Sequence, residues 1–183
     1  MEIRDAVPDD AAAVAAVARE SWHAAYDDLL GAETVDATVG EWYDAESLRE
    51  GIREADAADG ACFLVADDGG VVGFANAGPA RDWESDPDGP DAFFSRLYVA
   101  PEHWGGGVGS ELTAHVVRRL RAAGHERVWL EVFDGNDRGR GFYESLGFER
   151  IGSVTESFGG TAVTTLHLAA PLSRLVETTP SVE

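Results

Sequence analysis

The segment that most narrows the fold of this chain is Leu97-Tyr98-Val99-Ala100-Pro101-Glu102-His103-Trp104-Gly105-Gly106-Gly107-Val108-Gly109-Ser110. An apolar, β-prone run meets a proline, passes through a glycine-rich turn and enters an amphipathic helix. Val108, Leu112, Val116 and Leu120 recur every four residues and form the stripe of a helix over about 107–123, with Gly124 as its stop. A strand that feeds a helix in this way belongs to an α/β layer architecture. The turn also carries chemistry. Backbone amides at a helix start, unobstructed by Cβ atoms, make an anion cradle that the helix dipole reinforces.

The rest of the chain reads as the same mixed pattern. A strand over 2–6 precedes a helix opened by Pro8-Asp9-Asp10 and running to residue 20. Residues 21–30 continue as helix, with Trp22 and Tyr26 on one face, and 41–57 form another with Trp42, Leu48 and Ile52 as its stripe. From Ala61 the character changes. Strands over 61–66 and 71–77 flank Asp67-Asp68-Gly69-Gly70, a hairpin signal, and a polar loop over 81–91 leads into a strand over 92–99. A strand over 127–133, a helix over 137–146 and strands near 148–155 and 161–168 complete the order, before a loose tail from Pro171. No repeat or internal boundary interrupts this pattern, so the expectation is one α/β domain over 1–170 and a tail over 171–183.

Charge limits the partners. The 183 residues include 34 Asp plus Glu against 14 basic residues, all arginine, for a net charge of −20. Such a field opposes phosphate backbones and anionic membrane surfaces, which excludes nucleic acid and membrane as general partners. The acids are spread along the chain and the apolar fraction is 44%, so this is a folded protein with an acidic coat. A lysine-free coat of this kind resembles the surfaces of cytoplasmic proteins from salt-accumulating, halophilic organisms; at about 1 M salt the Debye length falls to roughly 3 Å and self-repulsion is screened. The single cysteine, Cys62, rules out an intrachain disulfide and sits in the apolar run Ala61-Cys62-Phe63-Leu64-Val65 as a small buried hydrophobe. No basic-then-apolar leader and no 18-residue apolar run is present, so a soluble, cytoplasmic location is expected.

Three phosphate sites compete for the glycine loop. A P-loop fails because no Gly-Lys-Ser/Thr follows. A dinucleotide fingerprint is nearer, with Gly105-x-Gly107 after a strand and Glu131 about a strand later. Ser110 replaces its third glycine, however, and too little chain remains for a dinucleotide-binding half. The third is a pyrophosphate site for coenzyme A.

Here the sequence resembles a known family. The strand, Pro-Glu-x-x-Gly-x-Gly-x-Gly and amphipathic helix are similar to the acetyl-CoA motif of the GCN5-related N-acetyltransferases (GNAT). The later Val128-Trp129-Leu130-Glu131-Val132, Asn136, Gly139 and Phe142-Tyr143-Glu144-Ser145-Leu146-Gly147-Phe148 resemble its following motif. The resemblance covers Phe94 to Gly152, agrees with the element order over 1–170, and extends with less specificity to Trp22-x-x-x-Tyr26 on the acceptor side. It implies a single-domain GNAT-like α/β fold: a mixed, mostly antiparallel sheet with splayed central strands, flanked by helices.

The same resemblance implies roles. Backbone groups of Leu97, Tyr98 and Val99 line the pantetheine arm of acetyl-CoA, which lies like an extra strand in the splay. The amides of Trp104, Gly105, Gly106, Gly107, Val108, Gly109 and Ser110 hold the pyrophosphate, Asn136 bonds the arm and Gly139 leaves room for it. Tyr143 protonates the departing thiolate, and the amide near Leu97 serves the oxyanion. Arg138 and Arg140 flank the site. The implied activity is transfer of acetyl from acetyl-CoA to a primary amine, a small metabolite or a protein N-terminus, with the alternative of a non-catalytic acyl-CoA sensor. Dimers are common in the superfamily and a homodimer is compatible with the sequence.

The base is the gap. Many family members carry a glutamate on the strand before the glycine loop, where Ser95 or Arg96 stands here. Glu84, Asp91, His23 and His103 are the side-chain alternatives, beside a water chain. Glu84-Ser85-Asp86-Pro87-Asp88-Gly89 imitates the start of a calcium loop, but its twelfth position is Ser95 and a strand follows, so no metal site is expected. The five histidines form no pair with metal-ligand spacing.

Overall fold

The structure, a computed structural model, describes residues 1–80 and 91–178. Seven strands form one sheet: β1 (Glu2–Asp5), β2 (Cys62–Asp67), β3 (Val71–Pro79), β4 (Ala92–Val99), β5 (Arg127–Phe133), β6 (Glu149–Phe158) and β7 (Thr161–Pro171). Their order across the sheet is β1-β2-β3-β4-β5-β7-β6, with β4 and β5 parallel and every other neighbour antiparallel. Helices α1 (Ala11–Leu30), α2 (Ala32–Trp42) and α3 (Ala45–Ala57) cover one face. On the other lie α4 (Val108–Ala122), α5 (Asp137–Leu146) and α6 (Leu172–Thr178). This is the α/β arrangement the sequence suggests.

Alternation in β2 builds both cores at once. Cys62, Leu64 and Ala66 enter the core under α4, while Phe63 and Val65 enter the one under α1. The expected α4 stripe is buried throughout: Val108, Leu112, Val116 and Leu120 are all 4% exposed or less. Burial also pushes the Cys62 thiol up to about 11, which suits an inert core residue better than a nucleophile. The β2–β3 hairpin turns where read, and the Asp67 carboxylate accepts hydrogen bonds from the amides of Gly69 and Gly70.

Three local readings differ from the structure. The helix expected over 41–57 is two helices, α2 and α3, because Asp44 adopts extended backbone and its carboxylate caps the amides of Glu46 and Ser47 at 3.0 and 3.1 Å. Trp42 therefore closes α2 at 44% exposure, and Tyr43 is the buried aromatic. In place of a loose tail from Pro171, β7 continues to that residue and α6 follows at once. Its Leu172 and Leu175 fill the space beside α4 in the larger core, a contact too long in range for a seven-residue helix to announce in sequence. Leu175→Ala is therefore expected to lower unfolding free energy by about 2–5 kcal/mol in chemical denaturation. A loss below about 0.5 kcal/mol, the scale of a surface change, would place α6 outside the core.

Candidate functional site

The central fact of the sheet is how briefly β4 and β5 pair. Only Ala92↔Val128 and Phe93↔Trp129 are partners, after which β4 stays with β3 as far as Val99 while β5 stays with β7 along its whole length. A cleft opens between the two strands, and the cavity it leads into has a volume of about 650 Å³. Ala100 donates its amide to Val72 of β3 at 2.9 Å. By antiparallel alternation the amides of Leu97 and Val99 therefore point the other way, into the split.

A bulge in β4 sets which side chains face which side. Asn76 pairs with Arg96 and Ala77 with Phe94, leaving Ser95 as the extra residue. The Ser95 hydroxyl donates to Asn76 rather than standing ready as a base. Beyond the bulge, Leu97 and Val99 pack on the α4 side and Arg96 and Tyr98 on the α1 side. The Arg96 guanidinium lies over the Tyr43 ring, 5.3 Å from its centroid, and the Tyr43 hydroxyl donates to Tyr98 at 2.9 Å. Burial holds the Tyr98 phenol far above its ordinary pKa.

The glycine loop lies beside the end of β4. Gly105 and Gly107 have φ of +77° and +89°, a region where a Cβ is strained, and Gly107 starts α4 without a side-chain cap. Among the described residues, the amides of Gly105, Gly107, Val108, Gly109 and Ser110 make no backbone hydrogen bond. Those of Trp104 and Gly106 are already used, on Pro101 and His103. The expected cradle of seven amides is thus one of five. Trp104 serves differently: its indole donates to the Val99 carbonyl at 2.7 Å, which takes one of the strand groups expected to face a ligand, and its ring carries Arg138 at 4.6 Å. Arg138 lines the cavity, whereas Arg140 is turned onto Asp134 and Asp137.

Asn136 and Gly139 form a unit. The Asn136 carbonyl oxygen caps α5 by accepting the Gly139 amide at 2.8 Å, and its Nδ2 donates to the Tyr26 hydroxyl at 2.9 Å. A Cβ on Gly139 would stand 2.7 Å from Nδ2, so this glycine makes room for the asparagine itself. Tyr26, pushed up to about 12 by burial, is thereby fixed at the cavity wall. Tyr143 also lines the cavity, its ring against Phe94, Phe142 and Phe148. Burial raises its phenol well above the ordinary value, so it carries its proton throughout the neutral range.

The proposed bases separate clearly. Asp91 accepts the amides of Glu126 and Arg127 and lies outside the cavity lining. His23 is bound between Asp27 and Asp36, away from the cleft, and His103 lines the cavity next to the glycine loop. Glu84 and the calcium-like loop fall outside the described residues. The carboxylate missed at the sequence level is Glu131. Val128, Leu130 and Val132 are buried under α4, so Trp129, Glu131 and Phe133 face the α1 side, and Glu131 lines the cavity. It pairs across strands with His167, whose Nε2 is 3.2 Å from the carboxylate. Period-two reading of β5 was the available signal.

The double role of Asn136 is measurable. Asn136→Ala should lower stability by about 1–2 kcal/mol in denaturant titration, while Asn136→Asp, which keeps an acceptor for Gly139, should lose less. Equal losses in the two variants would deny the cap its importance.

Comparison with known proteins agrees with this geometry. The model of the acetyltransferase (GNAT) family matches residues 20–148. Phosphinothricin N-acetyltransferase of Streptomyces viridochromogenes is 30% identical over 161 residues, 84% of this chain and 77% of that protein. Mycothiol acetyltransferase of Saccharomonospora viridis is 36% identical over 118 residues, which is 60% of this chain but 36% of that protein. The chain likewise spans 42% of mouse N-acetyltransferase 8B. Among solved structures, PaiA N-acetyltransferase of Thermoplasma acidophilum in complex with coenzyme A superposes with a TM-score of 0.74 at 25% identity, covering 90% of this chain and 96% of that one. Family model, fold and split sheet coincide: this chain belongs to the GNAT acetyltransferase family.

Proposed function

We propose that the protein is an acetyl-CoA-dependent N-acetyltransferase that acts on a primary amine by direct attack. The reading rests on one juxtaposition: an unpaired β4 edge and five open amides on one part of the cavity, with Glu131 and Tyr143 on another. The residues fit coenzyme A. The amides turned into the split by Leu97 and Val99 suit an extended, amide-bearing arm, as an added strand would. The loop amides and Arg138 suit a pyrophosphate, which a lysine-free chain must hold largely by its backbone. Asn136 sets the wall beside that arm. When bound, the co-substrate supplies an acyl group activated as a thioester.

The protein supplies the proton traffic and the polarisation. Glu131 takes the proton that the amine must lose to expose its lone pair. The Leu97 amide is directed at the charge that gathers on the acyl oxygen. The new nitrogen–carbon bond forms as the carbon–sulfur bond breaks with its electron pair on sulfur; Tyr143 gives that sulfur its proton, and the extra proton on the acylated nitrogen returns to the Tyr143 phenolate. Glu131 and Tyr143 together weigh against the acyl-CoA sensor, which needs neither. The acidic coat fits a cytoplasmic setting of high salt, where screening lets a polyanionic co-substrate approach.

Release of free thiol from acetyl-CoA with a panel of amines tests the reading. Turnover should fall about 10-fold to 100-fold in Tyr143→Phe and about 100-fold or more in Glu131→Gln, the scale of a lost positioned acid or base. Binding of acetyl-CoA with no transfer to any amine would establish the sensor instead.

A further inference from the structure

Two arginines line the cavity, Arg96 and Arg138, and among the described residues neither has a carboxylate within ion-pair distance. Among the described residues Arg4, Arg19, Arg49, Arg53, Arg119, Arg140 and Arg174 pair with carboxylates; Arg118, Arg121 and Arg150 do not, but none of those three lines the cavity. Both cavity arginines rest on aromatic faces instead, Arg96 on Tyr43 and Arg138 on Trp104. An aromatic face positions a guanidinium without using up its hydrogen-bonding fork, so each keeps donors for an anion. Arg138 stands at the glycine-loop end, beside the expected pyrophosphate. Arg96 has another setting.

The β4 bulge turns Arg96 to the α1 face, and the alternation of β5 turns Glu131 to that same face on the opposite bank of the split. A guanidinium and a carboxylate therefore flank one cavity, the carboxylate also held by His167 of β7. The wall above is α1, which offers Ser21, Ala24 and Ala25 as small residues and Tyr26 as a stop. A cavity of about 650 Å³ that also takes the pantetheine arm leaves this end a small volume.

We propose that the acceptor is a free amino acid, with its carboxylate held by Arg96 and its amine directed to Glu131. The assignment rests on the transferase reading and deepens it. A zwitterion satisfies both walls: the planar fork of Arg96 accepts a carboxylate in bidentate fashion, and Glu131 meets the ammonium. In the reaction the ammonium gives one proton to Glu131, the free amine bonds the acetyl carbon, and the second proton that the nitrogen then sheds replaces the one Tyr143 gives up. The carbon–sulfur pair passes to sulfur with the proton of Tyr143, and the products are an N-acetyl amino acid and free thiol. A peptide N-terminus has an amide where this site offers a guanidinium, and a polyamine would bring a second positive charge to Arg96.

The experiment compares kcat/KM for a panel of amino acids with the same compounds lacking the carboxylate, their decarboxylated amines and their amides. The full chain should prefer the amino acids by about 10-fold or more, the scale of a charge-assisted bidentate contact. Arg96→Gln should erase that preference and Arg96→Lys should restore part of it, whatever the absolute rates; unchanged acetyl-CoA affinity in both variants reports an intact fold. Equal use of carboxylate-free amines, or an unchanged preference in Arg96→Gln, overturns the assignment and leaves the transferase standing. Thiol release with no amine of either kind overturns the transferase reading and this assignment together.

Discussion

The early separation of β4 from β5 organises everything else in the molecule. A parallel pair buried between two helical layers normally continues its ladder, because an unpaired backbone group shut away from water costs about 1–3 kcal/mol. Here pairing stops after two residues on each strand. Leu97 and Val99 are left with amides turned to open space, and the sheet stays continuous because β3 and β7 hold the two banks. An edge in mid-sheet is a template for an extended ligand. The separation also lets side chains from both helical layers reach one cavity: Tyr143 from the α4 side, Tyr26, Arg96 and Glu131 from the α1 side.

Much of this was legible in residues alone. The α4 stripe, the hairpin at Asp67-Asp68-Gly69-Gly70 and the strand–glycine–helix passage are local signals, and each sits where its pattern places it. The glycine loop and the Tyr143 motif likewise both line one cavity. What escaped is non-local or depends on a single insertion. The bulge at Ser95 decides whether Arg96 faces α4 or α1, and no pattern in β4 announces it. The role of Asn136 as a cap, and its bond to Tyr26 110 positions away, required the fold. So did α6, whose two leucines gain meaning only against α4. Glu131 was within reach, since it lies between Leu130 and Val132, both of which are buried.

The charge that first restricts the partners also explains how the cavity is furnished. With 14 arginines and no lysine, Arg4, Arg19, Arg49, Arg53, Arg119, Arg140 and Arg174 are spent on the chain's own carboxylates. The groups left open in the cavity are backbone amides, which bear no net charge for the acidic surface to neutralise, and arginines parked on rings. Trp104 serves both purposes, fastening the loop to Val99 through its indole and carrying Arg138 on its face. Tyr43 does the same for Arg96 while bonding Tyr98.

The central claim is that the open edge of β4 and the uncapped start of α4 form a single docking line. Amide hydrogen exchange read residue by residue, with and without coenzyme A, addresses it directly. The amides of Leu97, Val99, Gly107, Val108, Gly109 and Ser110 should exchange fast in the free protein and become protected together on binding, while Tyr98 and Ala100, turned toward β3, change little. Protection that spares Leu97 and Val99, or that rises evenly across the sheet, would contradict the account.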